Sequence, residues 1–216
     1  MTAHQHASRA RAENPLSRAT RWVILGEAAF LFFMGLSVLL HPGFVLAKRE
    51  GGISEYGVHI KTALLYTAAW AVLAVANVRA ARELDERHET SAKMRKVLFG
   101  YTAAILLVLL STYVYSLDTV MRYIHYALGA TLIVFMSWAS YWLYRLRAKS
   151  PLARTLLWAQ VLGSLAALMS ILGVIHVLFA AETLSNVGCA VILATTLHHT
   201  FESSLGPPLE SSPDTA

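Results

Sequence analysis

Six long apolar segments, residues 22–40, 58–78, 97–117, 123–146, 156–181 and 183–197, constrain this chain more than any other feature. Each approaches or exceeds the roughly 20 residues that an α-helix needs to cross a bilayer core. Backbone groups in lipid must be satisfied within a helix or a closed barrel, and runs this continuous lack the alternation of barrel strands. The expected fold is therefore all-α, a polytopic bundle of six transmembrane helices. Composition agrees: 56% of the 216 residues are hydrophobic and 14% charged, too little polar surface to enclose these runs in water.

The basic residues give the bundle an orientation. With a cytoplasmic amino terminus, 14 of the 18 Lys and Arg fall on the inner side, in the tail before the first span, in loop 79–96 and in loop 145–154. Lys48, Arg49, Lys61 and Arg122 fall outside. Such asymmetry predicts that both termini are cytoplasmic, in a plasma-membrane protein. It also accounts for the net charge of +5 without a nucleic-acid partner. The first apolar run is too long for the core of a signal sequence and ends at His41, Pro42 and Gly43, a helix stop. The expected division is a cytoplasmic tail at 1–21, a membrane domain at 22–201 and a disordered cytoplasmic tail at 202–216. The alternative is five spans with an external carboxyl terminus, because the sixth run is the shortest. Loop 41–57, rich in glycine, is expected to fold back over the outer ends of the helices. Loop 79–96 is expected to extend the second and third helices beyond the membrane.

Chemistry-bearing residues cluster by depth. His41, His59, His125 and His176 all lie toward the outer side, with Glu55, Asp118 and Glu182. Imidazoles and carboxylates are the usual ligands of metals and haem and the usual handlers of protons, which makes a membrane haem or metal redox protein one reading of the four histidines. The other reading is that they cap helices and hydrogen-bond nearby backbone. No helix carries two deep histidines spaced to stack two haems, and no His-Glu-x-x-His or paired-cysteine motif is present. No cofactor is favoured, and no catalytic residue is assigned. Glu27, roughly 8 Å into the first apolar run by helical rise, should face the bundle interior. It serves either as a proton relay in a proton-coupled transporter or as a carboxyl bonded to Gln160 at similar depth. Gly129 with Ala130, and Gly163 with Ala167, are expected to let helices approach closely.

Two short motifs carry a resemblance. Gly52, Ile53, Ser54, Glu55, Tyr56 and Gly57 resemble the Ile-Ser-acid-x-Gly loop of the Frag1/DRAM/Sfk1 family of six-span membrane proteins, and of a related group of bacterial six-span proteins. Ile124, His125 and Tyr126, followed by Gly129 and Ala130, are similar to the pattern that opens that family's fourth helix. The Ser-Glu-Trp that usually begins its last helix is replaced here by Glu182, Thr183, Leu184, Ser185 and Asn186. The resemblance implies a non-catalytic protein that binds or organises membrane lipid, or a membrane protein partner, at its outer face. In that account Ser54, Glu55 and Gly57 shape the loop while His125 and Asp118 anchor it.

Overall fold

In the computed structural model, residues 15–43, 52–84, 89–146 and 151–204 are described. Among them are six long helices: α1 (Pro15–Leu40), α2 (Ala63–Glu83), α3 (Glu89–Thr112), α4 (Thr119–Leu146), α5 (Pro151–Ile171) and α6 (Leu178–Ser204). A single-turn helix, Glu55–Val58, lies between α1 and α2. All six long helices are long and apolar enough to cross a membrane, and no strand occurs among the described residues. The tails lie largely outside the described residues; of the tail expected at 1–21, residues 15–21 belong to α1, and of the tail expected to be disordered at 202–216, residues 202–204 are helical. Apolarity marks where lipid begins, whereas a helix continues into the interface as long as its hydrogen bonds do.

Two span boundaries differ from expectation for a backbone reason. The apolar stretch 172–177 reads as a continuation of the fifth span, yet Gly173 takes a left-handed φ of 74° and the chain turns there. This ends α5 at Ile171 and lets α6 begin at Leu178, making the sixth helix 27 residues long instead of the shortest. Likewise α3 stops at Thr112, and 113–117 form turns in place of the last helical turn.

The bundle has two chemically distinct ends. At one end, α2 runs on to Glu83 and α3 begins at Glu89, so residues 79–83 and 89–96 of loop 79–96 are helical, and Arg18 of α1 donates to Glu83 of α2 at 2.7 Å. Arg79, Arg82, Lys93, Arg95 and Lys96 are also at this basic end. At the other end, the short helix and its flanks cover the bundle. Between the ends, α1 and α2 pack closely: a Cβ built on Gly26 would lie 2.5 Å from that of Ala76. Gly163 plays the same part between α5 and α6, where a Cβ would meet the Ser185 nitrogen at 3.0 Å and the Ala181 oxygen at 3.2 Å. Large apolar side chains such as Leu25, Phe32, Leu39, Leu64 and Leu110 point outward. In water that surface would drive aggregation; against lipid tails it is the solvent-facing side.

A loop-roofed cavity as the candidate functional site

The roof is built by the loop motif, one residue at a time. Tyr56 is fully buried and sets its ring 5.8 Å from Phe179 of α6, while its hydroxyl donates to the His41 carbonyl at 3.3 Å. Gly57 sits where a Cβ would lie 2.6 Å from the Thr112 methyl and 2.7 Å from the Tyr66 ring. Ile53 donates its backbone N–H to Glu182 Oε2 at 2.7 Å. Gly52 passes so close that a Cβ would lie 2.9 Å from Leu178 and 3.1 Å from that same carboxylate oxygen.

His125 holds the other side of the roof, and its hydrogen-bond network assigns its tautomer. Ser111 Oγ donates its one proton to the Val108 carbonyl at 2.8 Å, so it accepts from His125 Nδ1 at 2.8 Å. In the neutral ring Nε2 is then an acceptor, and Ser54 Oγ donates to it at 3.0 Å. The ring also stacks on Tyr115, with centroids 4.8 Å apart. Both ring nitrogens thus have a side-chain hydrogen-bond partner. Ser54→Ala and His125→Ala should therefore be strongly non-additive in detergent stability, with a coupling of about 0.5–3 kcal/mol in a double-mutant cycle. Additive losses would place the two side chains apart.

The remaining expected residues are distributed differently. Asp118 is exposed and caps α4, its Oδ1 accepting the Met121 N–H at 2.9 Å, so it is a helix cap and not a loop anchor. Glu55 lies in the cavity wall and accepts from Tyr115, whose phenol is pushed up by burial and then by the Glu55 charge. The four histidines do not converge. His41 and His59 pair edge to face at 4.2 Å; desolvation, then His41 and Lys61, hold the His59 imidazole below its ordinary value. His176 is exposed in the turn between α5 and α6. Among the described residues no three His, Cys, Asp or Glu are grouped to hold a metal ion.

Beneath the roof is a cavity of about 80 Å³ bounded by α2 to α6. Its apolar wall includes Val108, Leu132, Ile133, Met136, Ile171 and Leu178; its polar groups come from Ser54, Glu55, Tyr115, Ser170, Glu182 and Asn186. Gly129 lines it too, and a Cβ there would meet nothing within 4 Å. Gly129 thus leaves space open and does not bring helices together, contrary to expectation.

The cavity floor connects to Glu27. Asn186 Nδ2 donates to Glu27 Oε2 at 3.3 Å, and Tyr101 OH donates to Asn186 Oδ1. Gln160 is not the partner: its amide nitrogen donates to Ser164 at 3.0 Å and more weakly to Ser185 at 3.4 Å. The misassignment came from depth. Because α1 starts at Pro15, Glu27 stands at the midpoint of the helix, about 18 Å from its start by the helical rise. Glu182, grouped by depth with Glu55 and Asp118 but given no role, and Asn186 carried one available signal: they lie one helical turn apart at the start of the sixth apolar segment, where polar side chains require partners.

No family model, curated protein or solved structure matches the chain. Six apolar helices with a polar interior support the class of integral, multi-pass membrane proteins.

Proposed function

We propose that this is a non-catalytic plasma-membrane protein, with both termini cytoplasmic, that holds the head of a membrane lipid in the outer cavity beneath the 52–58 loop. The observation that carries the reading is the cavity itself, with apolar walls, hydrogen-bonding groups and a roof pinned at Ser54 and Ile53. Binding sites of this kind are concave and mostly apolar, with a few placed polar groups. The charge asymmetry supports the orientation, since Arg18, Arg79, Arg82 and Lys93 share the end opposite the roof.

The resemblance of the loop and His125 motifs to six-span lipid-associated proteins supports the same reading. Lipid retained through purification, measured by native mass spectrometry, tests it. Gly129→Phe should fill the cavity and lose that lipid, while Leu110→Phe on the exposed surface should keep it. Equal retention by wild type and Gly129→Phe, at equal unfolding temperature, would sink the proposal. A tag near Gly51 that is reachable only from the cytoplasm would overturn the orientation.

A further inference from the structure

We infer that the cavity opens sideways, between α4 and α5, into the membrane leaflet at the roof end, so that a bound lipid keeps its chain in the bilayer while its head lies under the roof. The inference rests on the lipid-binding reading and adds the route of entry and the place of the chain.

The wall of the cavity is not covered evenly. On the α2–α3 side Trp70, Val108 and Tyr115 are buried, and overhead Ile53 is buried as well. The half-buried lining residues are Ser54 and Glu55 at the roof edge, Tyr126 and Gly129 of α4, Ile171 of α5, and Leu178 and Glu182 of α6. The thin side of the wall is therefore the one that α4, α5 and α6 present to lipid. Tyr126, Gly129, Ala130 and Ile133 share one face of α4 by their spacing. Ile133 closes against Ala167 of α5 in a buried cluster. One turn nearer the roof the seam parts: Ala130 is half-buried, and a Cβ on Gly129 would meet nothing within 4 Å among the described residues.

Depth decides what lies outside this opening. Helix α5 has 21 residues, roughly 31 Å by helical rise, which matches a hydrocarbon core of about 30 Å. Ile171 is its last residue, so the opening stands at the edge of the core.

A second, independent observation is the turn 172–177, whose flanking residues Ile171 and Leu178 both line the cavity. Leu172, Val174 and Val177 in it are 74%, 59% and 46% exposed. Apolar surface of this kind costs about 25 cal/mol per Å² in water and nothing of the sort against acyl chains. The backbone permits that contact, because irregular chain beside lipid needs internal partners. The N–H groups of Leu172, Gly173 and Val174 donate to the carbonyls of Leu168, Ser170 and Met169 at 3.0, 3.0 and 2.9 Å, and that of Val177 to Ser170 Oγ at 3.3 Å. Size agrees as well. A single water needs roughly 10–15 Å³ of such volume, so about 80 Å³ admits part of a head and leaves the chain outside.

The test uses the full chain, with Cys189 replaced by alanine, in vesicles of palmitoyl-oleoyl phosphatidylcholine. Spin labels are attached through Ile171→Cys, through Leu110→Cys on the lipid-facing surface and through Ser116→Cys in the exposed turn before α4. Their collisions with oxygen and with a water-soluble nickel chelate are compared. The label at 171 should favour oxygen as the label at 110 does, with the nickel collisions seen at 116 lost. Nickel collisions at 171 equal to those at 116 would overturn the route in favour of entry from water, and a label shielded from both reagents would overturn the opening itself. Exchange is the second readout. Wild-type protein carrying its retained lipid should exchange it when moved into vesicles of deuterated lipid extracted from the expression host, as read by native mass spectrometry. Ala130→Trp should slow that exchange severalfold at wild-type unfolding temperature and lipid occupancy; where that variant does not fold, the label at 171 still decides. No exchange by wild type, or exchange as fast in folded Ala130→Trp, would overturn the inference. If Gly129→Phe loses its lipid while the label at 171 meets the nickel chelate, the route fails and the lipid reading stands. If Gly129→Phe keeps its lipid as wild type does, the lipid reading itself has failed and the route falls with it.

Discussion

Gly57→Ala should cost about 1–3 kcal/mol or more of stability, whereas Gly129→Ala should cost little, although both glycines belong to the two short motifs. At Gly57 the new methyl would lie 2.6 Å from the Thr112 methyl, 2.7 Å from Tyr66 Cε1 and 2.8 Å from Tyr66 Cδ1. Neither neighbour yields easily. Tyr66 is fully buried with its hydroxyl donating to Thr112 Oγ1 at 3.1 Å, and Thr112 Oγ1 donates to the Val108 carbonyl at 2.9 Å. The roof must lift or the α2–α3 contact must open, and either exposes Tyr56. At Gly129 nothing lies within 4 Å. Thermal unfolding of both variants in one detergent checks the contrast, and equal losses would mean that the roof does not press on Tyr66 and Thr112.

Glu27→Lys should prevent folding, Glu27→Gln should be accepted, and Glu27→Leu should fall between them. Glutamine keeps an oxygen that can accept the Asn186 N–H, so the chain through Tyr101 survives. Leucine removes that acceptor and leaves a buried amide donor unpaired, at about 1–3 kcal/mol. Lysine places an ammonium at the middle of α1, where insertion alone costs about 2.5–3.5 kcal/mol, and turns the Asn186 donor toward a cation. Yield and monodispersity in detergent rank the three. A Glu27→Leu protein as stable as wild type would deny the Asn186 bond any structural weight, and a Glu27→Gln protein that folds but loses lipid would give the carboxyl a functional one.

Much of this architecture was legible because lipid imposes a blunt rule. Six long apolar helices, helical ends on the basic side and the described part of a loop, 52–58, folded over the opposite end follow from hydropathy, charge and glycine content alone. The Ser54–His125 contact was half legible: the two motifs indicate that the loop and α4 meet, but not that Ser54, among the loop residues, is the partner of the ring. Hydropathy describes the surroundings of a segment and is blind to its backbone, so Val174, Ile175 and Val177 looked like span although Gly173 breaks the helix before them. Pairing across the bundle was the least legible. It depends on rotation and depth together, and an error of seven residues at the start of α1 shifts a polar group by about two turns. That shift matched Glu27 with Gln160 in place of Asn186.

Helix α6 supplies Glu182 to Ile53, Ser185 to Ser164, and Asn186 to both Glu27 and Tyr101. It is also the last of the six helices to leave the ribosome. Until it arrives, the carboxyl of α1, the phenol of α3 and the loop amide lack these partners. A chain without α6 would leave those polar groups unmet among apolar helices.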